Sequence, residues 1–211
     1  MAYADLGEVG RAIEYYEQAL VIAREIGDRC NEGVWLGSLG LAYADLGEVR
    51  RGIEYHEQAL VIAREIGDRR GEGNRLGNLG GAYFRLGDVR RAIEFCEQAL
   101  AIARQIGDRG GEESRLGNLG STYYMLGEVR RAIESYEQAL VIAREIGDRG
   151  GEGNHLDNLG LAYAALGDLI RARELWEQAL RIFEDIEDPN AERVRGWLAA
   201  LGEGSGEVGA E

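Results

Sequence analysis

Between Leu36 and Ile66 the apolar residues fall into two stripes of helical period. Leu36, Leu39, Gly40, Tyr43 and Leu46 recur at steps of three and four and make one face of a helix, called A here. Gly47-Glu48 breaks the pattern. Val49, Ile53, His56, Leu60 and Ala63 then make the stripe of a second helix, B, which Ala59 and Ile66 widen. Gly67-Asp68 ends helix B, since a glycine just past the last periodic residue is a common stop. Gly71-Glu72-Gly73 reads as the link to the next helix A. The two helices form a hairpin with short turns, and neither can bury its stripe alone.

The pattern then repeats. EQALVIAREIGDR opens at Glu17, Glu57 and Glu137, with near-copies at Glu97 and Glu177, so the period is 40 residues. Identical helices B at a fixed period are expected when hairpins stack and each copy meets the same neighbours. The inventory is a truncated unit at 1–30 that begins inside helix A, complete units at 31–70, 71–110, 111–150 and 151–190, and a final atypical helix at 190–201. Residues 1–201 read as one solenoid and 202–211 (GEGSGEVGAE) as a disordered tail. The expected fold is all-α, with ten or eleven helices and no strand. Glycines inside helix A cost about 1 kcal/mol each against alanine, so Gly40, Gly80, Gly120 and Gly160 need a packing reason. The small residues at 12, 52, 92, 132 and 172 and the alanines at 19, 59, 99, 139 and 179 supply one, because they let two backbones approach closely.

Composition narrows the function. The net charge of −14 disfavours a phosphate backbone, so no nucleic-acid partner is expected. No apolar run has the length of a membrane span, and the first residues lack a signal peptide's basic start and apolar centre. Cys30 and Cys96 match no metal or redox spacing, and two unpaired thiols fit a cytoplasmic protein.

The order Leu79-Gly80, Tyr83, Ala92, Ala99, with Gly87-Asp88 at the turn, resembles the tetratricopeptide repeat. The usual unit has about 34 residues. The 40-residue form is similar to the repeats of Pins-type spindle-orientation adaptors, and more loosely to kinesin light chains and bacterial arrays. The proline that commonly closes the shorter repeat appears only as Pro189. The resemblance implies a right-handed superhelix of antiparallel helix hairpins (an α-solenoid) whose concave wall is made by helix A. That wall would hold Gly37, Leu41, Ala44, Gly77, Gly81, Phe84, Arg85, Gly117, Ser121, Tyr124, Met125, Asp157, Leu161 and Ala164. Ser38, Asn78, Asn118 and Asn158 form a ladder beside them, and an amide offers both a donor and an acceptor to a peptide backbone. The same asparagines could instead satisfy neighbouring turns and helix ends. Where the chaperone-binding branch carries a carboxylate clamp, this chain has Gly37, Gly77, Gly117 and Asp157, which argues against a clamp. Those glycines would leave room for ligand bulk, with Phe84 and Tyr124 as apolar anchors.

Other residues read as structural. His56 shares its repeat position with Tyr16, Cys96, Tyr136 and Trp176, as a packing site would. His155 near Asp157 is a weak metal signal. The glycine runs match no nucleotide-binding or nucleophile-elbow pattern, and no catalytic set is present. Arg50-Arg51, Arg90-Arg91 and Arg130-Arg131 are expected on the outer face beside Glu54, Glu94 and Glu134. The expected function is a scaffold that binds a peptide or partner protein in its groove, with no enzyme activity, cofactor or metal. The alternatives are a sensor array cut from a larger signalling protein and a self-associating structural array. The inner stripe of the first helix B (Val9, Ile13, Tyr16, Leu20) is expected to lose part of its cover and to be covered by a second copy of the chain.

Overall fold

The computed structural model describes the backbone of residues 3–204 and the side chains of residues 8–201. Ten helices and no strand occur among the described residues. They divide into two compact units that meet in sequence between Asp108 and Arg109. The first unit holds α1 (Tyr3–Glu25), α2 (Arg29–Asp45), α3 (Val49–Glu65), α4 (Arg69–Arg85) and α5 (Val89–Gln105). The second holds α6 (Arg109–Met125), α7 (Val129–Ile146), α8 (Arg149–Ala165), α9 (Leu169–Asp185) and α10 (Asn190–Gly204). Within each unit every helix packs on the helix before and after it. The expected tail at 202–211 lies, from 205 on, outside the described residues.

One turn design serves both kinds of connection. A glycine with φ between 66° and 87° recurs at 27, 47, 67, 87, 107, 127, 147 and 167, which is every half-repeat. At the end of α3 the Asp68 N–H bonds the Ala63 carbonyl at 2.9 Å, so the left-handed residue closes the helix and satisfies its last carbonyls. The Asp68 side chain then caps α4 by accepting from the Gly71 N–H at 2.8 Å. Gly71-Glu72-Gly73 therefore lies inside α4, and the expectation of a linker there is corrected. An acidic cap directly after the glycine lets helix A start two residues later.

The first unit differs again from expectation. AYADLGEV occurs at 2–9 and at 42–49. In the second copy it ends α2 and turns at Gly47, whereas in the first Gly7 lies within the continuous helix α1. At 47 the turn lies between α2 and α3, which pack on each other, whereas at 7 the helix runs on.

The core is a leucine ladder with close backbone approaches beside it. Leu36, Leu39, Leu76 and Leu79 are at most 1% exposed. A Cβ on Gly40 would lie 2.5 Å from His56 Cε1, on Gly80 2.5 Å from Cys96 Sγ, and on Gly120 2.5 Å from Tyr136 Cε1. Gly160 stands in the same relation to Trp176. The glycine of helix A thus makes room for the variable residue of helix B, as its position in the repeat predicts, and His56 is a core residue at 1% exposure.

Two polar systems run beside this core. Buried Glu72 takes Arg64 of α3 at 2.9 Å and also Arg69, whose other nitrogen reaches Gln105 at 2.7 Å. Glu32 does the same with Arg24 at 2.9 Å and Arg29 at 2.6 Å, and the Arg24 side chain foremost holds its carboxyl below the usual range. In the second unit Glu152 pairs with Arg144 at 2.9 Å and with Arg149. The second member of each arginine pair differs from expectation. Arg51, Arg91 and Arg131 lie 3.9, 4.4 and 3.9 Å from the ring centroids of Tyr43, Tyr83 and Tyr123. Their carboxylate partners are Glu48, Asp88 and Glu128, one turn earlier, instead of Glu54, Glu94 and Glu134.

Candidate functional site

The candidate site is the exposed face of the A helices, taken unit by unit. In the first unit α2 and α4 carry it. Leu41 is 48% exposed, Phe84 is half-buried, and Tyr83 beside it is buried. Phe84 rests its ring against the cluster around Leu79 and Ala82, which fixes its orientation. Arg85 projects from the end of α4 and lies 3.9 Å from Asp45 of α2. Ala44, expected on the wall, is buried instead. In the second unit α6 and α8 carry the face. Tyr124 is 37% and Met125 52% exposed, whereas Tyr123 is buried. Leu161 and Ala164 are half-buried.

The ladder beside these residues splits by chemistry. Ser38 spends its hydroxyl proton on the Val34 carbonyl at 3.1 Å. Ser121 donates to the Gly117 carbonyl at 3.2 Å and accepts from the Tyr136 hydroxyl at 3.1 Å. Asn78, Asn118 and Asn158 are half-buried, and their amide groups form no hydrogen bond among the described residues. The reading in which these asparagines satisfy turns and helix ends finds no bond to support it.

The room expected in front of Gly37 and Gly117 is filled, whereas that at Gly81 is open. The Arg75 guanidinium of α4 occupies the space that a side chain at Gly37 would need, and burial pushes its pKa down. In the second unit the ring of His155 lies where a Cβ on Gly117 would come within 2.8 Å of Cε1. These glycines admit the next repeat's side chain, not a ligand. His155 does not approach a metal site with Asp157. Its Nε2 pairs with the buried Glu113 carboxylate, 42 residues earlier in sequence. Asp157 instead takes Arg193 of α10 at 2.6 Å, and burial raises its pKa. Sequence reasoning missed both partners, because Glu113 and Arg193 stand at one repeat position where the other units carry glycine.

Two features at the ends of the units also bear on binding. The stripe Val9, Ile13, Tyr16 and Leu20 is covered, with Ile13 and Leu20 buried and Tyr16 stacked on Trp35 at 5.9 Å. The open face of α1 is a different one, made by Tyr15 at 69%, Ile22 at 57% and Ile26 at 71% exposure. At the other end Ala191 and Val194 of α10 are buried and Trp197 stacks on Trp176 at 6.2 Å. No helix among the described residues is long and apolar enough to cross a membrane, and no group of three ligating side chains suits a metal.

Comparison with solved structures finds the same fold. BtubC (BKLC) from P. vanneervenii superposes with a TM-score of 0.83 at 22% identity, over 94% of this chain and 85% of that one. A Podosopora anserina kinesin light chain protein with nearly identical TPR-like repeats gives 0.71 at 25% identity, over 88% and 91%. A signal transduction ATPase with a tetratricopeptide repeat sensor, from Pyrococcus horikoshii, gives 0.82 at 23%, over 97% of this chain and 32% of that one. A search of curated proteins finds no match. A tetratricopeptide repeat model matches residues 31–105, 72–145 and 113–185, and a second model of the same description matches residues 1–29. With most of its length matched by that model, the chain belongs to the tetratricopeptide repeat family.

Proposed function

We propose that this protein is a non-catalytic binding module that holds a polypeptide on the exposed faces of its A helices. The observation that carries the reading is the set of unspent amides at Asn78, Asn118 and Asn158 beside exposed or half-exposed Leu41, Phe84, Tyr124 and Leu161. Each of these amides faces solvent without being used by the fold, so it is open to a ligand, and an extended backbone offers a donor and an acceptor at every residue. Arg85 adds a cation at the edge of the first unit's wall, and Ser38 and Ser121 add acceptor oxygens. The absence of a clamp at Gly37, Gly77, Gly117 and Asp157 favours an internal segment over a free C-terminus. The acidic charge and the two thiols, Cys30 exposed and Cys96 buried, support a cytoplasmic setting. A second copy of the chain is also a partner in this reading, through α1.

Panning a random peptide library on the whole chain tests the proposal. Selected peptides should lose most of their affinity for Asn78→Ala and Phe84→Ala, or for Asn158→Ala and Tyr124→Ala, with helical content unchanged. Peptides that bind all four variants as well as the wild type would remove the A-helix face from consideration. The second reading, a sensor array of a larger signalling protein, draws on the likeness to the Pyrococcus horikoshii sensor protein, whose length this chain covers by about a third.

A further inference from the structure

The tyrosines of α2 and α4 each sit between two B helices, and an aromatic ring from the following one closes the space. Tyr43 stacks on Tyr55 at 5.3 Å and Tyr83 on Phe95 at 5.4 Å. Phe95 packs against the cluster of Leu60, Leu76, Leu79 and Tyr83. Both tyrosines are at most 7% exposed, and the Tyr43 hydroxyl donates to Glu17 at 3.0 Å.

The hairpin of α8 and α9 breaks this rule. Two repeats on from that cluster stand Leu140, Leu156, Leu159 and Tyr163, and Leu175 takes the place of Phe95. These five residues line a cavity of about 160 Å³ between α7, α8 and α9. Tyr163 is half-buried, and no ring stacks on it among the described residues. The Arg171 guanidinium stands 5.9 Å from its centroid, whereas Arg51 and Arg91 lie at 3.9 and 4.4 Å from theirs. Its hydroxyl reaches Glu137 only at 3.5 Å. An apolar cavity of about 150 Å³ is enough to hold a benzene molecule, so the space matches one ring. Leucine on three sides and a tyrosine face on the fourth favour a flat apolar group, because aromatic rings pair best when stacked with an offset.

We propose that the crevice between α7, α8 and α9 binds one phenyl or phenol ring, the side chain of a phenylalanine or tyrosine on a partner polypeptide, which stacks on Tyr163 as Tyr55 and Phe95 stack on Tyr43 and Tyr83. The chain itself supplies the precedent, since the ring it places in the same surroundings is such a side chain. The mouth of the crevice suits the amides that flank a side chain. Glu137 and the Gln178 amide oxygen accept hydrogen bonds there, and Arg171, held only by Glu174 at 3.6 Å, donates them. Leu156, Leu159 and Tyr163 lie, at helical spacing, on the side of α8 opposite Asn158 and Leu161. The site therefore uses none of the A-helix face, and the two binding readings stand or fall separately.

Methyl NMR titration of the whole chain with N-acetyltyrosinamide, and separately with p-cresol, reads the outcome. N-acetyltyrosinamide should shift the methyl signals of Leu156, Leu159 and Leu175 with a Kd of about a millimolar, as a single side chain can supply. Leu175→Phe should weaken that binding by about tenfold or more, because the ring then comes from α9 itself, and should raise the urea midpoint by filling the cavity. Phe84→Ala, in the first unit, should leave the binding unchanged. The amide of N-acetyl-cyclohexylalanine, equally apolar but not flat, should bind several-fold more weakly. Absence of leucine methyl shifts with either probe overturns the proposal. So does a Leu175→Phe variant that binds as well as the wild type, or one whose urea midpoint falls, since a crevice without room for a ring would be overpacked by it. Binding of p-cresol without N-acetyltyrosinamide overturns the polypeptide source and leaves the crevice to free aromatic compounds.

Discussion

Gly80 and Gly81 are neighbours in α4 and should respond to substitution with opposite signs. A Cβ on Gly80 would stand 2.5 Å from Cys96 Sγ and 3.3 Å from the Ala92 carbonyl oxygen. Cys96 is 1% exposed and Ala92 fully buried, so neither α5 atom has space to retreat into. Valine at 80 therefore wedges α4 from α5. Overpacking of this kind costs about 1–3 kcal/mol. The better helix propensity of valine over glycine returns only a few tenths. A Cβ on Gly81 meets nothing within 4 Å. Gly81→Ala should therefore keep its full propensity gain of about 1 kcal/mol. The two variants should differ by roughly 2–4 kcal/mol, which for a chain of this size separates their melting temperatures by several degrees. Urea titration followed by helical circular dichroism, with hydrogen exchange of α4 and α5 to localise the effect, measures both. Adding Cys96→Ala to Gly80→Ala should recover part of the loss, because it removes the atom that is struck. The close-approach argument fails if Gly80→Val melts with the wild type, or if Gly81→Ala loses as much as Gly80→Val.

Two further outcomes follow from buried charge. Burial, with Arg75 adding to it, depresses His56 from 6.5 to about 4, so the folded state resists a proton that the unfolded state accepts. The His56 contribution to stability should fall as pH drops from 6.5 toward about 4, by about 3 kcal/mol in all, and flatten below; His56→Cys should lose that part of the slope, and equal slopes in urea midpoints over this range would refute it. Arg193→Ala leaves the Asp157 carboxylate buried without its cation and should speed hydrogen exchange of α10, whereas adding Asp157→Asn should slow it again; unchanged exchange in the single variant would mean that the pair does not hold α10.

The hairpins, their period and the packing role of Gly40, Gly80 and Gly120 were legible because they rest on local rules repeated four times over. A stripe at Leu36, Leu39 and Tyr43 and a stop at Gly47 need no distant partner. What the sequence hid was long in range or broke the repeat. Glu72 reads as a linker residue by sequence, and only the stacked neighbours bring Arg64 and Arg69 onto it and bury it in the first turn of α4. The wall glycines looked vacant because nothing local says that Arg75 and His155 fill the space ahead of Gly37 and Gly117. AYADLGEV makes the point most directly, since identical residues turn at 47, between two packed helices, and run straight through 7. Of the candidate site, the full or partial exposure of Leu41, Phe84 and Tyr124 agrees with what the family resemblance implied, whereas the burial of Ala44 does not.

The repeat also acts as its own control on what the wall could recognise. Packing fixes leucine at 36, 76, 116 and 156, leucine at 39, 79, 119 and 159, and tyrosine at 43, 83, 123 and 163. Stacking makes no such demand at the exposed face. There the series runs Leu41, Gly81, Ser121, Leu161, then Phe84, Tyr124, Ala164 (Ala44, in the same register, is buried), then Asp45, Arg85, Met125, Ala165. A repetitive ligand would be met best by uniform faces, and the A helices, taken unit by unit, keep the asparagine at 78, 118 and 158 and the glycine at 37, 77 and 117, of which Gly37 and Gly117 are taken up by packing. An extended polypeptide has that same combination, a backbone whose donors and acceptors recur at every residue and side chains that do not recur. Constant amides beside changing apolar and charged groups therefore favour a polypeptide of mixed sequence over a sugar polymer or a lipid chain. Exchanging Phe84 for the alanine of the first and last hairpins should alter which peptides bind, whereas exchanging Asn78 for alanine should weaken all of them alike. If Phe84→Ala weakened every peptide equally and Asn78→Ala selected among them, the assignment of backbone and side-chain recognition would be reversed.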